Sequence, residues 1–481
     1  MTTPPITPPI IPPITRVTGG VAGLAATYAA VRALADRFDA AGDHLREHAG
    51  ADARVLTDPD LLESAPLSPV TFAEAEAQVV DATSGLHGVV EASVVYEADA
   101  VLVRATVTAY QESDRLVARS FQALDYIVGH DLGCALSAVA PELLLLGMVA
   151  VPVWQHLPDS TRRRLGDPLE EWADEHPEAV QHAVDGSGGL LDGLLTGVPL
   201  VRLLAGIGPF HPTLADAASD LAGLYPAEGP PRVRRRGDLH VPLGQTPPDD
   251  LAGLIRHLDE TNRLSPHDRP GDQGTVEIQT LHAADGTVRH VVYLPGTDDL
   301  TTTPWSHDED VRDLPADLRV IAGDRSTYAT GIEEAMKEAG IGRHDPVLLV
   351  GHSLGGMEAA SLLAHGSGFD VTHVVTAGSP IGGLHQYPPG THVLSLENRG
   401  DLVPLLDGRD NADSVQQVTM QFDDHETSIA GNHDLQHYVR GAAAADASTD
   451  ASVREQLASL RAHGFLGSAG GATSQVFQIS R

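Results

Sequence analysis

Ser353 is the residue whose surroundings announce chemistry. An aliphatic run of strand type, Val347-Leu-Leu-Val350, leads through Gly351-His352-Ser353-Leu354-Gly355-Gly356 into a segment rich in Ala and Leu. Strand, G-x-S-x-G and helix in that order set a serine on a sharp turn, and glycines at 351 and 355 let neighbouring backbone come close to it. A serine hydroxyl is a weak nucleophile at neutral pH. It needs a base, and the base needs a carboxylate to fix its tautomer and balance the charge it gains. The chemistry indicated is acyl transfer to Ser353.

With the order serine, acid, histidine usual for such a turn, the partners are sought downstream. Asp401 follows the strand Val393-Leu-Ser-Leu396 in the loop at its carboxyl end, where functional groups gather in parallel sheets. Asp370 precedes its strand and so lies at the wrong edge, and Asp407 and Asp410 stand further along the loop as weaker substitutes. Among His425, His433 and His437, His433 directly precedes the amphipathic run Asp434-Leu-Gln-His-Tyr-Val439, which sets it in a loop at a helix start. His425 sits in the acidic cluster Asp423-Asp424-His425-Glu426 and reads as a solvated turn, His437 as a helix residue. A tetrahedral oxyanion needs two donors. Leu354 offers its backbone N–H, and Thr297, after Tyr293-Leu-Pro-Gly296, offers the second.

Elements able to position these groups begin near residue 250. A helix at 250–264 precedes strands at 275–281 and 288–294 joined through Asp285-Gly286, and then strands alternate with helices to about 443. That alternation predicts a doubly wound α/β sheet over 251–481. Upstream, apolar residues at helical spacing (Leu24, Tyr28, Val31, Ala35, Phe38, Leu45) predict a first helix. A Thr71-x-x-Glu74 capping box predicts a second, and 89–127 a long third. The expected layout is a disordered Pro/Thr arm at 1–18, an all-α domain at 19–225, a Pro- and Arg-rich linker at 226–250 and the α/β domain at 251–481.

Four patterns in order resemble the class 3 lipases, the α/β-hydrolase family of fungal triacylglycerol lipases and plant phospholipases A1. They are Gly296-Thr297 with Trp305-x-x-Asp308, Gly351-His-Ser-Leu-Gly-Gly356, Asn398-x-x-Asp401-x-Val403-Pro404 and His433-Asp-Leu-x-x-Tyr438, within about 275–440. The same half is similar to actinobacterial α/β-hydrolases of unsettled substrate. The resemblance implies Ser353, Asp401 and His433 as a triad, Thr297 and Leu354 as the oxyanion hole, and an ester or acyl-lipid substrate. The loop 298–318 is expected either to act as a lid through Trp305 or to pack Trp305 permanently into the core. Pro295 departs from the pattern, standing where such lipases often carry Arg. Tyr110-x-x-x-Asp114 resembles the export signal of type VII secretion substrates, although the W-x-G turn of that family is replaced by Gly85-Leu86-His87-Gly88. This second resemblance implies an exported effector whose helices at 19–130 meet a helical partner.

A net charge of −35 opposes binding to nucleic acid. The one cysteine, Cys134, excludes an intramolecular disulfide and a thiolate metal site, and no histidine spacing indicates zinc. No cofactor is expected. The apolar stretches 135–154 and 189–209 are each broken by Pro and charge and predict buried helices, not membrane spans. The N-terminus lacks the basic and apolar regions of a Sec signal, which leaves a cytoplasmic chain or one exported by another route.

Overall fold

A computed structural model describes residues 11–139, 172–173, 176–265, 270–283, 286–300, 302–304, 309–384, 386–425, 428–467 and 470–481. Nine strands form one mixed sheet: β1 (Ile14–Gly19), β2 (Arg232–Arg235), β3 (Thr275–His282), β4 (Val288–Leu294), β5 (Pro346–His352), β6 (Asp370–Ala377), β7 (His392–Asn398), β8 (Gln417–Phe422) and β9 (Gly471–Ser480). Their order is β1-β8-β7-β6-β5-β4-β3-β9-β2. Strands β4 to β8 run parallel, and the edge strands pair antiparallel.

The parallel strands are apolar on both faces because helices cover both. Val292, Leu349, Val374 and Val393 face one core with the helices Thr327–Glu338 and Leu354–His365. Their neighbours Val291, Leu348, Val350, Val375 and Leu394 face the other, against Leu251–Asn262, Leu435–Asp446 and Ala451–Ala462. Helix starts are fixed by side-chain caps: Asp250 accepts from Gly253 N, Ser326 from Ala329 N and Asp434 from Gln436 N. The strand-helix alternation expected over 251–481 is thus present.

The division of the chain differs from the expected one. Its compact units are Leu24–Arg119 and, separately, Met1–Gly23 with Ser120–Arg481. Residues 120–225 join the sheet-bearing unit for a physical reason: the helix Leu214–Ala222 packs on the helix Leu314–Ile321, and the Tyr225 hydroxyl donates to the Thr302 carbonyl at 3.2 Å. The arm expected to be disordered supplies β1, antiparallel to β8. The expected linker supplies β2 against β9, and Arg236 is buried between Asp238 and Asp272. Both corrections involve edge strands, whose order comes from a distant partner and not from local periodicity.

The unit Leu24–Arg119 is helical. Leu24–Val55 is its first helix, longer than expected, followed by Pro59–Ser64, Pro69–Ser84 and the start of Val89–Val139. The second long helix starts at Pro69 with Ser68 as N-cap, so the Thr71 capping box is not used. The first and last helices pack antiparallel along small residues: Ala35, Gly42 and Ala49 on one, Ser93, Ala100 and Val107 on the other, each set seven apart and buried. Arg104 ties the pair by 2.6 Å bonds to Asp36 and Asp39.

Among the described residues no helix is long and apolar enough to cross a membrane. Residues 140–154 of the first apolar stretch lie outside them, and the second forms the helices Ser187–Thr196 and Pro199–Ala205.

Candidate active site

Strand β5 ends at His352, and Ser353 turns the chain into the helix Leu354–His365 with φ +52° and ψ −124°. A positive φ costs a non-glycine residue of order 1–3 kcal/mol, and it persists where packing over-determines it. Here it is over-determined. The Ser353 amide donates to the Ala377 carbonyl of β6 at 3.1 Å. A Cβ at Gly351 would meet the backbone of Gly355, one at Gly355 the carbonyl of Leu294, and one at Gly356 the Ser379 hydroxyl. Glycine at these positions lets the serine turn, the end of β4 and the loop after β6 pack together.

The loop after β4 passes over the serine. A Cβ on Gly296 would lie 2.9 Å from that of Ser353 and 3.1 Å from Nδ1 of His352. Thr297 comes next, and its hydroxyl donates to Oδ2 of Asp317 at 2.9 Å. Burial, with Asp313 adding to it, pushes the Asp317 carboxyl up to about 7, so it carries a proton over much of the acidic range.

Asp401 lies beyond the end of β7, buried, and its Oδ2 receives Nδ1 of His433 at 2.7 Å. The same oxygen accepts the Tyr438 hydroxyl at 2.6 Å, and Oδ1 accepts the Val403 amide at 2.9 Å. Three donors on one buried carboxylate fix its plane. Burial and the adjacent Asp401 push the Tyr438 hydroxyl well above its ordinary range, so it stays a donor. Gly378, at φ +63°, makes room for this contact, since a Cβ there would lie 2.8 Å from the Tyr438 hydroxyl.

Gly296, Thr297, His352, Ser353 and His433 line one cavity of about 540 Å³. One wall is the helix Leu314–Ile321, which presents Leu314, Leu318 and Ile321 at intervals of four and three; Met357, Pro380, Val403 and Leu406 add to the apolar lining, while Asn262, Arg263, Ser265, Asp298 and Asp317 make part of it polar. Comparison of the whole chain with family models, curated proteins and solved structures finds no match. The site is therefore read on its own geometry.

The residues set aside from the sequence lie elsewhere. Asp370 starts β6, at the opposite end from Ser353. Asp407 accepts from the amide of Arg409 in its own loop and from that of Gly383 in the loop after β6, and Asp410 pairs with Gln181 and Arg16. His425 is exposed at φ +54° beside Asp423. His437 bonds Asp424. Trp305, expected on a lid or in the core, lies outside the described residues. Three contributors take roles that the motifs do not specify, although His352 and Tyr438 stand within the quoted patterns. Asp317 is 20 residues from Thr297 in sequence, the donor role of Tyr438 depends on the fold of Gly378, and His352 acts through a ring nitrogen that the G-x-S-x-G pattern does not constrain. Among the described residues no group of His, Cys, Asp or Glu side chains is arranged to hold a metal ion.

Proposed function

We propose that the chain is an α/β-hydrolase that cleaves carboxylic esters through Ser353, in the manner of the class 3 lipases it resembles. The observation that carries this reading is the joint placement of a strained serine and a histidine on one cavity, the histidine bonded at 2.7 Å to a buried carboxylate.

In the reaction the Ser353 oxygen attacks the ester carbonyl carbon, and His433 accepts the hydroxyl proton at Nε2 while Nδ1–H stays on Asp401. The carbonyl π electrons move to oxygen, and the backbone N–H groups of Leu354 and Thr297 receive that oxyanion. Collapse expels the alcohol, which takes the proton from His433. Water, deprotonated by the same histidine, then attacks the acyl-serine, and collapse releases the acid as the imidazolium returns the proton to the Ser353 oxygen. Asp401 remains ionised throughout and stabilises the imidazolium.

The apolar cavity wall favours an aliphatic acyl chain, which supports an acyl-lipid substrate, including phospholipid cleaved in the manner of a phospholipase A1. A panel of p-nitrophenyl esters from acetyl to palmitoyl, with a phospholipid alongside, tests this. The reading expects a rate optimum beyond acetyl, because each methylene bound in an apolar pocket is worth about 1–3 kcal/mol. A flat profile or no hydrolysis of any ester counts against it.

A second reading concerns the helices. Val94, Val101, Leu102, Leu116 and Val117 are more than half exposed on Val89–Val139, and Tyr110 of the Tyr-x-x-x-Asp114 pattern is exposed on the same helix. A row of exposed apolar residues suits a helical partner, and with the secretion-type pattern it supports an exported effector whose hydrolase half attacks lipids. Recovery of the chain from culture supernatant, lost on Tyr110→Ala, tests that reading.

A further inference from the structure

His433 sits between two helices, Ile429–Asn432 and Leu435–Asp446. Its bond to Asp401 orients the ring, but the backbone that carries the ring needs its own anchorage. Two buried side chains provide it. Nε2 of His352 donates to the carbonyl of His433 at 3.0 Å. The side-chain amide of Asn398 donates to the carbonyl of Asn432 at 3.1 Å and to Oδ1 of Asn432 at 2.8 Å. The two carbonyls belong to the peptide groups on either side of the His433 Cα, so the base is gripped from before and after.

The donors come from the strand ends that carry the other two groups. His352 precedes Ser353 at the end of β5, and Asn398 closes β7 three residues before Asp401. Asn398 is itself locked, its Oδ1 accepting the Asp424 amide at 3.3 Å and its backbone N–H donating to the Tyr438 hydroxyl at 3.3 Å. The His352 ring lies 4.4 Å from that of His433, centroid to centroid. Burial, and then the neighbouring His433, hold the His352 imidazole well below its ordinary range. A neutral ring with its proton on Nε2 donates to the carbonyl without opposing the charge that develops on His433.

We propose that His352 and Asn398 are positioning residues for the base, tying the loop of His433 to the strand ends that bear Ser353 and Asp401. The proposal rests on the reading of this site as a serine hydrolase. It differs from a packing role in what it predicts for kinetics, because a displaced base slows the chemical step and leaves acyl binding alone.

The test uses the full chain, with His352→Phe keeping the ring and removing the donor, His352→Gln restoring an N–H, and Asn398→Leu removing the second grip. For p-nitrophenyl octanoate His352→Phe and Asn398→Leu are each expected to lose about 10²-fold in kcat, the cost of misplacing a reacting group by about 1 Å, with KM changed by no more than about twofold. His352→Gln recovers part of the loss. In a His433→Ala background His352→Phe is expected to cost nothing further in fluorophosphonate labelling of Ser353, since it acts only through the imidazole. Wild-type kcat in both single variants overturns the proposal, and so does a loss that repeats in the His433→Ala background. Should His352→Phe melt early by circular dichroism, Asn398→Leu decides the matter by the same criteria. Absence of labelling in the wild type overturns the hydrolase reading beneath it, whereas wild-type labelling with unimpaired variants overturns the grip alone.

Discussion

Two aspartate–histidine pairs have their histidines four residues apart. His433 bonds Asp401 at 2.7 Å, and His437 bonds Asp424 at 2.6 Å, each through Nδ1. By bond length they are the same motif. Their surroundings separate them. Asp401 takes its other donors from Tyr438 and the Val403 amide, and its histidine opens onto the cavity of Ser353. Asp424 also binds Arg440 at 2.6 Å, a guanidinium that stands 2.8 Å from the same nitrogen of His437, and its histidine does not line that cavity. An imidazole beside a carboxylate is thus a common structural tie. It becomes a candidate base when a serine on a strained turn shares its cavity and, among the described residues, no arginine is bonded to its carboxylate.

The contrast is sharpest under mutation. His433→Ala and Asp401→Asn are each expected to lower kcat by about 10⁴-fold, without multiplying in the double variant, because such groups act as a unit. His437→Ala and Asp424→Asn should leave kcat within a few-fold of wild type and lower the melting temperature instead. Equal damage from both pairs, read as kcat on a soluble ester, would erase the distinction drawn between them.

A smaller effect belongs to Tyr438, which bonds the first pair alone. Tyr438→Phe removes one charge-assisted hydrogen bond worth about 1.5–3 kcal/mol, so a loss of at least about tenfold in kcat is expected. An unchanged rate would mean that the Val403 amide and His433 suffice to hold Asp401.

Much of this site was legible from residue order. Strand, glycines and helix marked Ser353, and a strand's carboxyl end marked Asp401, because a parallel sheet delivers its loops to one edge. His433 stood out by its place before a helix. What stayed hidden depended on distance. β1 and β2 form on partners more than 240 residues away, so neither the Pro/Thr tract nor the Arg-rich stretch reads as strand locally. Of the helix seam only Ala35 was read; Gly42 and Ala49 escaped because they are small, and the larger apolar residues nearby drew the periodicity toward Leu24 and Phe38, which are less buried. Asp317 is a helix residue whose meaning appears only where it meets Thr297.

Asp317 gives the smallest expected effect, seen in stability. Its folded-state value is raised from 3.8 to about 7 by burial and then by Asp313. Between those values the unfolded chain loses the proton while the folded chain keeps it, so stability falls as pH rises through that window and levels off above about 7. Asp317→Asn removes the penalty. Its melting temperature relative to wild type should therefore climb from about pH 4 to about pH 7. A difference that stays constant over that range would show that the carboxyl is ionised in the folded protein.

The most direct test is covalent labelling of the wild-type chain with a fluorophosphonate, followed by peptide mass spectrometry. The account predicts one modified residue, Ser353, with labelling abolished in Ser353→Ala and slowed by orders of magnitude in His433→Ala but not in His437→Ala. Labelling of another serine, or undiminished labelling when His433 is removed, would contradict it.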